Sequence, residues 1–144
     1  MQDANSNIKK SIVLKAVKEN FQACMEFVES LLKDAGVEYE TIMTILTACE
    51  EVIINIIDYA YPAERGNLKI EFEKKENTII LFFTDSGIMF NPLMKKEADI
   101  SLTLEEREAG GLGILMVTKL MDEVKYEYKE NRNTLRIVKK INDK

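Results

Sequence analysis

The stretch from Thr41 to Ala60 narrows the possible folds more than any other part of the chain. Ile42, Ile45, Leu46, Cys49, Val52, Ile53, Ile56 and Ile57 recur at the three-and-four spacing of one buried helical stripe. A helix with so much apolar surface faces a core, and a second layer must cover it. At about 100° per residue, Glu51, Asn55 and Asp58 project from the opposite side, with Glu51 and Asn55 one turn apart. A carboxylate beside an amide oxygen can serve an attacking hydroxyl and a hydrated cation together. The Asn55 amide oxygen is a hard ligand suited to Mg²⁺, and Glu51 is a candidate base. Asp58 is grouped with the cofactor-binding residues. An isolated E-x-x-x-N is equally the solvated face of an amphipathic helix.

The covering layer reads as a sheet. Ser11 to Val17 predicts a short strand, and Glu19 to Ala35 a helix stopped by Gly36. Leu68, Ile70 and Phe72 alternate with Lys69, Glu71 and Glu73, the period of a half-exposed strand. Glu76-Asn77 turns it into a buried strand over Ile79–Thr84. Gly110 to Met121 contains a third helix, followed by a strand alternating at Val124, Tyr126 and Tyr128 and a last one over Thr134–Lys140. Paired strands with helices elsewhere predict an α+β sandwich, one sheet face covered by helices.

Two further motifs interrupt these elements. Asp85-Ser86-Gly87 ends the apolar strand: the carboxylate can accept from an exocyclic amine, and Gly87 lets a flat ring approach the backbone. A plain turn is the competing reading. Gly110-Gly111-Leu112-Gly113 opens the third helix, where bare N–H groups and the helix dipole can hold phosphate oxygens. It is neither a P-loop nor G-x-G-x-x-G, and a flexible hinge reads the same.

In conjunction the motifs resemble the anti-sigma factor serine kinases of the Bergerat-type (GHKL) ATPase superfamily, over nearly the whole chain from Ile8 to Ile141. The matching runs are 50–62, from Glu50-Glu51 to Tyr61-Pro62, 85–92, from Asp85-Ser86-Gly87 to Asn91-Pro92, and 104–113, from Leu104-Glu105 to Leu112-Gly113, with Asn133-Thr134-Leu135-Arg136-Ile137 as the usual last strand. The resemblance implies a two-layer sandwich with a mixed, mainly antiparallel sheet and a nucleotide between helices and sheet. It implies Glu51 as catalytic base, Asn55 as Mg²⁺ ligand, Asp85 on the adenine amine and Gly87 lining the adenine pocket. Asn91 to Ala109 becomes the ATP lid, Gly110, Gly111 and Gly113 hold phosphates, and Arg107 is a candidate phosphate contact. Two positions depart from the family habit: Tyr59 stands where His is frequent and Met89 where Pro is frequent, which bears on partner fit more than on catalysis.

Composition agrees. At 144 residues the chain is expected to be one domain, burying roughly 68–70% of its unfolded surface. A net charge of −5 argues against direct nucleic-acid or anionic-membrane binding. No apolar run approaches the ~18 residues of a membrane span and the polar start lacks a signal-peptide core, so a cytoplasmic location is expected. Cys24 and Cys49 fall on apolar helix stripes and read as buried thiols. The chain has no histidine, which removes Ser-His-Asp catalysis, imidazole zinc sites and phosphohistidine chemistry. For a nucleotide site of the kind the resemblance implies, this leaves transfer of the ATP γ-phosphate to a partner, transfer to water as slow ATP hydrolysis, or nucleotide-gated binding of a regulator without transfer; the resemblance implies the first, with a protein serine as acceptor. By resemblance, the serine belongs to a STAS-type anti-sigma factor antagonist, the second partner is a sigma factor, and the kinase is a homodimer.

Overall fold

The computed structural model describes residues 7–92 and 112–141, with side chains from Leu115 onward in the second stretch. The order is β1 (Ile8–Lys15), a 3₁₀ turn (Lys18–Asn20), α1 (Phe21–Asp34), α2 (Tyr39–Asn55), a π-turn (Ile56–Ala60), β2 (Asn67–Lys75), β3 (Thr78–Asp85), α3 (Leu112–Leu120), β4 (Glu123–Lys129) and β5 (Arg132–Lys140). The strands form one sheet in the order β1-β2-β3-β5-β4, and all four pairings are antiparallel. This is the expected α+β sandwich. The first strand starts three residues earlier than predicted because Lys74 of β2 pairs with Ile8.

Strand alternation sends one set of side chains to the helices. Leu68, Ile70 and Phe72 of β2, Ile79, Leu81 and Phe83 of β3, and Leu135 and Ile137 of β5 are buried. Cys24, Val28 and Leu32 of α1 meet the same core, as do Ile45, Cys49, Val52 and Ile53 of α2. Fully burying each large apolar side chain contributes about 1.5–3 kcal/mol. Both cysteines are buried thiols, and burial pushes Cys24 up to about 11. The β4–β5 hairpin turns through Glu130 and Asn131, both with positive φ, as a two-residue turn matched to the strand twist requires. Among the described residues no helix is long and apolar enough to cross a membrane.

Periodicity predicts one helix to Ala60, but α2 ends at Asn55 and the chain widens into the π-turn. The cause lies in carbonyls that meet partners from elsewhere. The Arg65 guanidinium donates to the Ile57 carbonyl, and the Ile88 N–H donates to Ala60 O at 2.9 Å. Carbonyls that an α-helix leaves open at its C-terminus are thus satisfied by two distant residues. π-Turns within helices are frequent at functional sites, and here the turn forms one rim of a cavity.

Candidate functional site

The cavity lies between α2 and the β3–β5 end of the sheet. Val52, Asn55, Ile56 and Ala60 line it from the helix, Phe83, Asp85, Asn133, Leu135 and Tyr126 from the sheet, and Phe90 and Pro92 from the segment after β3. Its walls are mainly hydrocarbon and aromatic, with a few convergent polar groups, the usual make-up of a small-molecule site.

On the helix side, Asn55 is only 7% exposed. The sequence pattern assigns it to the side away from the core, and the structure corrects this. Asn55 stands three residues after Val52 and one before Ile56, so it sits at the border of the apolar stripe, where the helix meets the cavity. Its side chain has no hydrogen-bond partner among the described residues. Buried amides are almost always paired, so an orphan of this kind signals a ligand or water. Glu51, one turn earlier, is half-buried; desolvation, and secondarily the charge of Glu50, raise its pKa. Asp58 is exposed and does not line the cavity, so the three residues do not share one surface.

On the sheet side, Asp85 is 4% exposed at the end of β3. Its Oδ1 accepts from the Gly87 N–H at 2.8 Å and from Asn133 Nδ2 at 2.9 Å. Among the described residues none donates to Oδ2. Burial raises the Asp85 pKa, partly offset by these two hydrogen bonds. Asn133 faces Asp85 across the β3–β5 ladder and is fully engaged. Its Nδ2 also donates to Ile88 O at 2.7 Å, while its Oδ1 accepts from the Phe90 N–H at 3.1 Å and from the Tyr126 hydroxyl.

Gly87 also has a packing task that the sequence reading did not assign. A Cβ there would lie 2.1 Å from Ala60 O, so the missing side chain permits backbone-to-backbone packing on the π-turn. Its N–H donates to Asp85, which lines the cavity. Tyr61 fastens the same turn, its hydroxyl accepting from the Ser86 N–H at 2.8 Å and donating to Asn67 O at 2.7 Å. Tyr59 packs its ring on Phe90, with centroids 5.8 Å apart, while Met89 is 65% exposed.

Gly113 lies in the first turn of α3, which packs against α2. Arg107, Gly110 and Gly111 lie outside the described residues, as does the expected lid from residue 93 onward. Asn55 and Asp85 line one cavity, whereas Glu51 stands one helical turn from Asn55 and is not in that lining; Asn133 and Tyr126, to which the sequence reading gave no site role, line it too. The available signal was a polar Asn133 in phase with the inward-facing Leu135 and Ile137.

Among the described residues no three acidic or thiol side chains converge to hold a metal. An orphaned amide near a half-buried carboxylate fits a hard, hydrated cation that arrives with its phosphates. The free edge of Asp85 fits an amine on a flat ring.

Residues 14–139 match the family model described as the histidine kinase-like ATPase domain. The serine-protein kinase RsbW of Bacillus thuringiensis (strain Al Hakam) is 31% identical over 104 residues, 69% of this chain and 65% of that protein. The chain therefore spans about two thirds of the Bacillus relative's length. RsbW of Listeria monocytogenes serovar 1/2a is 30% identical over 115 residues, covering 76% of this chain and 73% of that one. Two solved structures share the fold. The RsbU and RsbW domains of Rv1364c from Mycobacterium tuberculosis superpose with a TM-score of 0.66 at 14% identity, over 93% of this chain and 32% of that one. The SiaB-SiaC complex from Pseudomonas aeruginosa gives 0.65 at 15% identity, over 88% of each.

Proposed function

Because the chain belongs to the histidine kinase-like ATPase domain family, within its anti-sigma serine kinases, we propose that it is an ATP-dependent protein serine kinase. In this reading it phosphorylates a serine of a STAS-type anti-sigma factor antagonist and sequesters a sigma factor, acting as a cytoplasmic homodimer. The observation that carries the reading is that, among the described residues, the buried Asn55 has no side-chain partner and, across one cavity, Oδ2 of Asp85 has no donor.

Each residue has a part. Asp85 accepts the exocyclic amine of adenine through Oδ2, between the apolar walls. Asn55 holds Mg²⁺, which when bound neutralises phosphate charge and keeps the triphosphate in line. Glu51, with its raised proton affinity, takes the proton of the serine hydroxyl as the phosphoryl group leaves ATP. Gly110, Gly111 and Gly113 are assigned to the phosphates in this reading, as glycines at a helix start suit phosphate oxygens. Arg107 adds a phosphate contact in this reading, and Asp58, exposed and away from the cavity lining, takes no part in it.

Calorimetric titration with ATP and GTP, with and without Mg²⁺, tests the site, and labelled ATP incubated with a STAS-type antagonist tests the reaction. Mg²⁺-strengthened binding of ATP over GTP and label on the antagonist serine are expected. Binding without label on any protein would leave a nucleotide-gated binding module, and release of free phosphate a slow ATPase. No binding of either nucleotide would overturn the reading.

A further inference from the structure

Asn133 makes four hydrogen bonds from one side-chain amide, and they leave it a single orientation. Turned over, its NH₂ would face the Phe90 N–H and its oxygen would face both Ile88 O and the Asp85 carboxylate. The amide therefore always donates to Asp85, and always on Oδ1. The Gly87 N–H ends on the same oxygen. With Oδ1 held from two sides, Oδ2 is the edge left for a ligand.

We propose that Asn133 is the positioning residue for base selection: it holds Asp85 as an acceptor with one free edge, matched to a 6-amino purine and opposed to a 6-oxo purine. The proposal rests on the nucleotide site described above. A carboxylate oxygen attracts an exocyclic amine and repels a carbonyl, and the two donors on Oδ1 fix where Oδ2 stands in the cavity, so that the discrimination falls at one position. The Tyr126 hydroxyl extends the device by locking the amide from its other side.

The test compares ATP with inosine triphosphate, which carries a carbonyl in place of the 6-amino group. The full chain is titrated with both, as are the Asn133→Asp and Tyr126→Phe variants, from about pH 5.5 to about pH 8. Asn133→Asp places a second carboxyl against Asp85, so the pair shares a proton at low pH and loses it as pH rises. The preference for ATP is expected to fall about tenfold near pH 8 and to return near pH 5.5, when the introduced carboxyl is protonated and donates as the amide did. A merely structural role for Asn133 would weaken ATP and inosine triphosphate alike and leave their ratio unchanged at every pH. Tyr126→Phe keeps the ring and is expected to lower the preference roughly threefold. This milder variant carries the test if Asn133→Asp does not fold. An unchanged ATP preference in the folded variants at every pH overturns the inference alone. Failure of the unsubstituted chain to bind ATP overturns it together with the kinase reading.

Discussion

The two walls of the cavity each bury an asparagine, and the two are opposites. Asn133, on the sheet wall, has every hydrogen-bonding position engaged; Asn55, on the helix wall, has none engaged among the described residues. A buried amide costs stability unless it is paired, and the helix wall bears that cost while the sheet wall does not. The contrast separates two tasks. The sheet wall is finished before a ligand arrives, as recognition of a rigid base requires. On the proposed reading, the helix wall would be completed by what binds, as suits a metal that comes with its phosphates.

The largest effect should come from the helix wall. Glu51→Gln keeps the shape of the side chain and removes the base, so transfer should fall about 10²–10⁴-fold while ATP affinity stays within about twofold. Single-turnover assays and calorimetry read the two quantities separately. If affinity collapses instead, Glu51 is part of the wall and not of the chemistry.

The next pair sets the asparagines against each other. Asn133→Ala strips partners from the Ile88 carbonyl, the Phe90 N–H and the Tyr126 hydroxyl, and should destabilise the fold by about 2–4 kcal/mol. Asn55→Ala removes an amide with nothing to lose. Its unfolding free energy should lie within about 1 kcal/mol of the parent, while the Mg²⁺-dependent gain in ATP affinity disappears. Urea unfolding of both variants decides it, and equal losses would erase the distinction between the walls.

Gly87→Ala probes the joint between them. Its Cβ would meet the carbonyl oxygen, carbonyl carbon and Cβ of Ala60 at 2.1, 2.6 and 2.8 Å, most of it backbone that cannot swing aside. A cost of about 1–3 kcal/mol is expected, with weakened ATP binding as the Asp85 turn shifts. Unaltered thermal unfolding would show that the turn has slack.

These walls were unevenly legible in the sequence. The hairpins could be read because residues such as Leu68, Ile70 and Phe72 alternate with charges, a pattern local to each strand. Glu51 and Asn55 could be read from helical spacing, but the burial of Asn55 could not, since it depends on where the cavity meets the edge of the stripe. The π-turn was out of reach because Arg65 and Ile88, which satisfy its carbonyls, arrive from elsewhere in the chain. Asn133 was hidden for the same reason: its role exists only in the register that sets it opposite Asp85, 48 residues away. Contacts within one element leave a periodic trace, whereas contacts between elements leave only a residue whose polarity does not suit its place.

Asp85→Asn gives the smallest effect on stability and the most specific one. The new amide can keep its oxygen toward the Gly87 N–H and Asn133 Nδ2, so both hydrogen bonds survive, but an NH₂ group then faces the cavity. ATP should bind more weakly and inosine triphosphate more strongly. Stability should change with pH in a defined direction. Burial raises the pKa of Asp85 in the folded protein, so the folded state holds its proton more tightly than the unfolded chain does. The stability this contributes is fully present below the unfolded value of about 4 and is lost as pH rises through the folded value. The asparagine variant lacks that loss. Its melting temperature relative to the parent should therefore climb with pH across this window and level off above it. A difference that stays flat, or shrinks as pH rises, would mean that Asp85 is not desolvated in the folded protein, and the free edge assigned to it would then already be in contact with water.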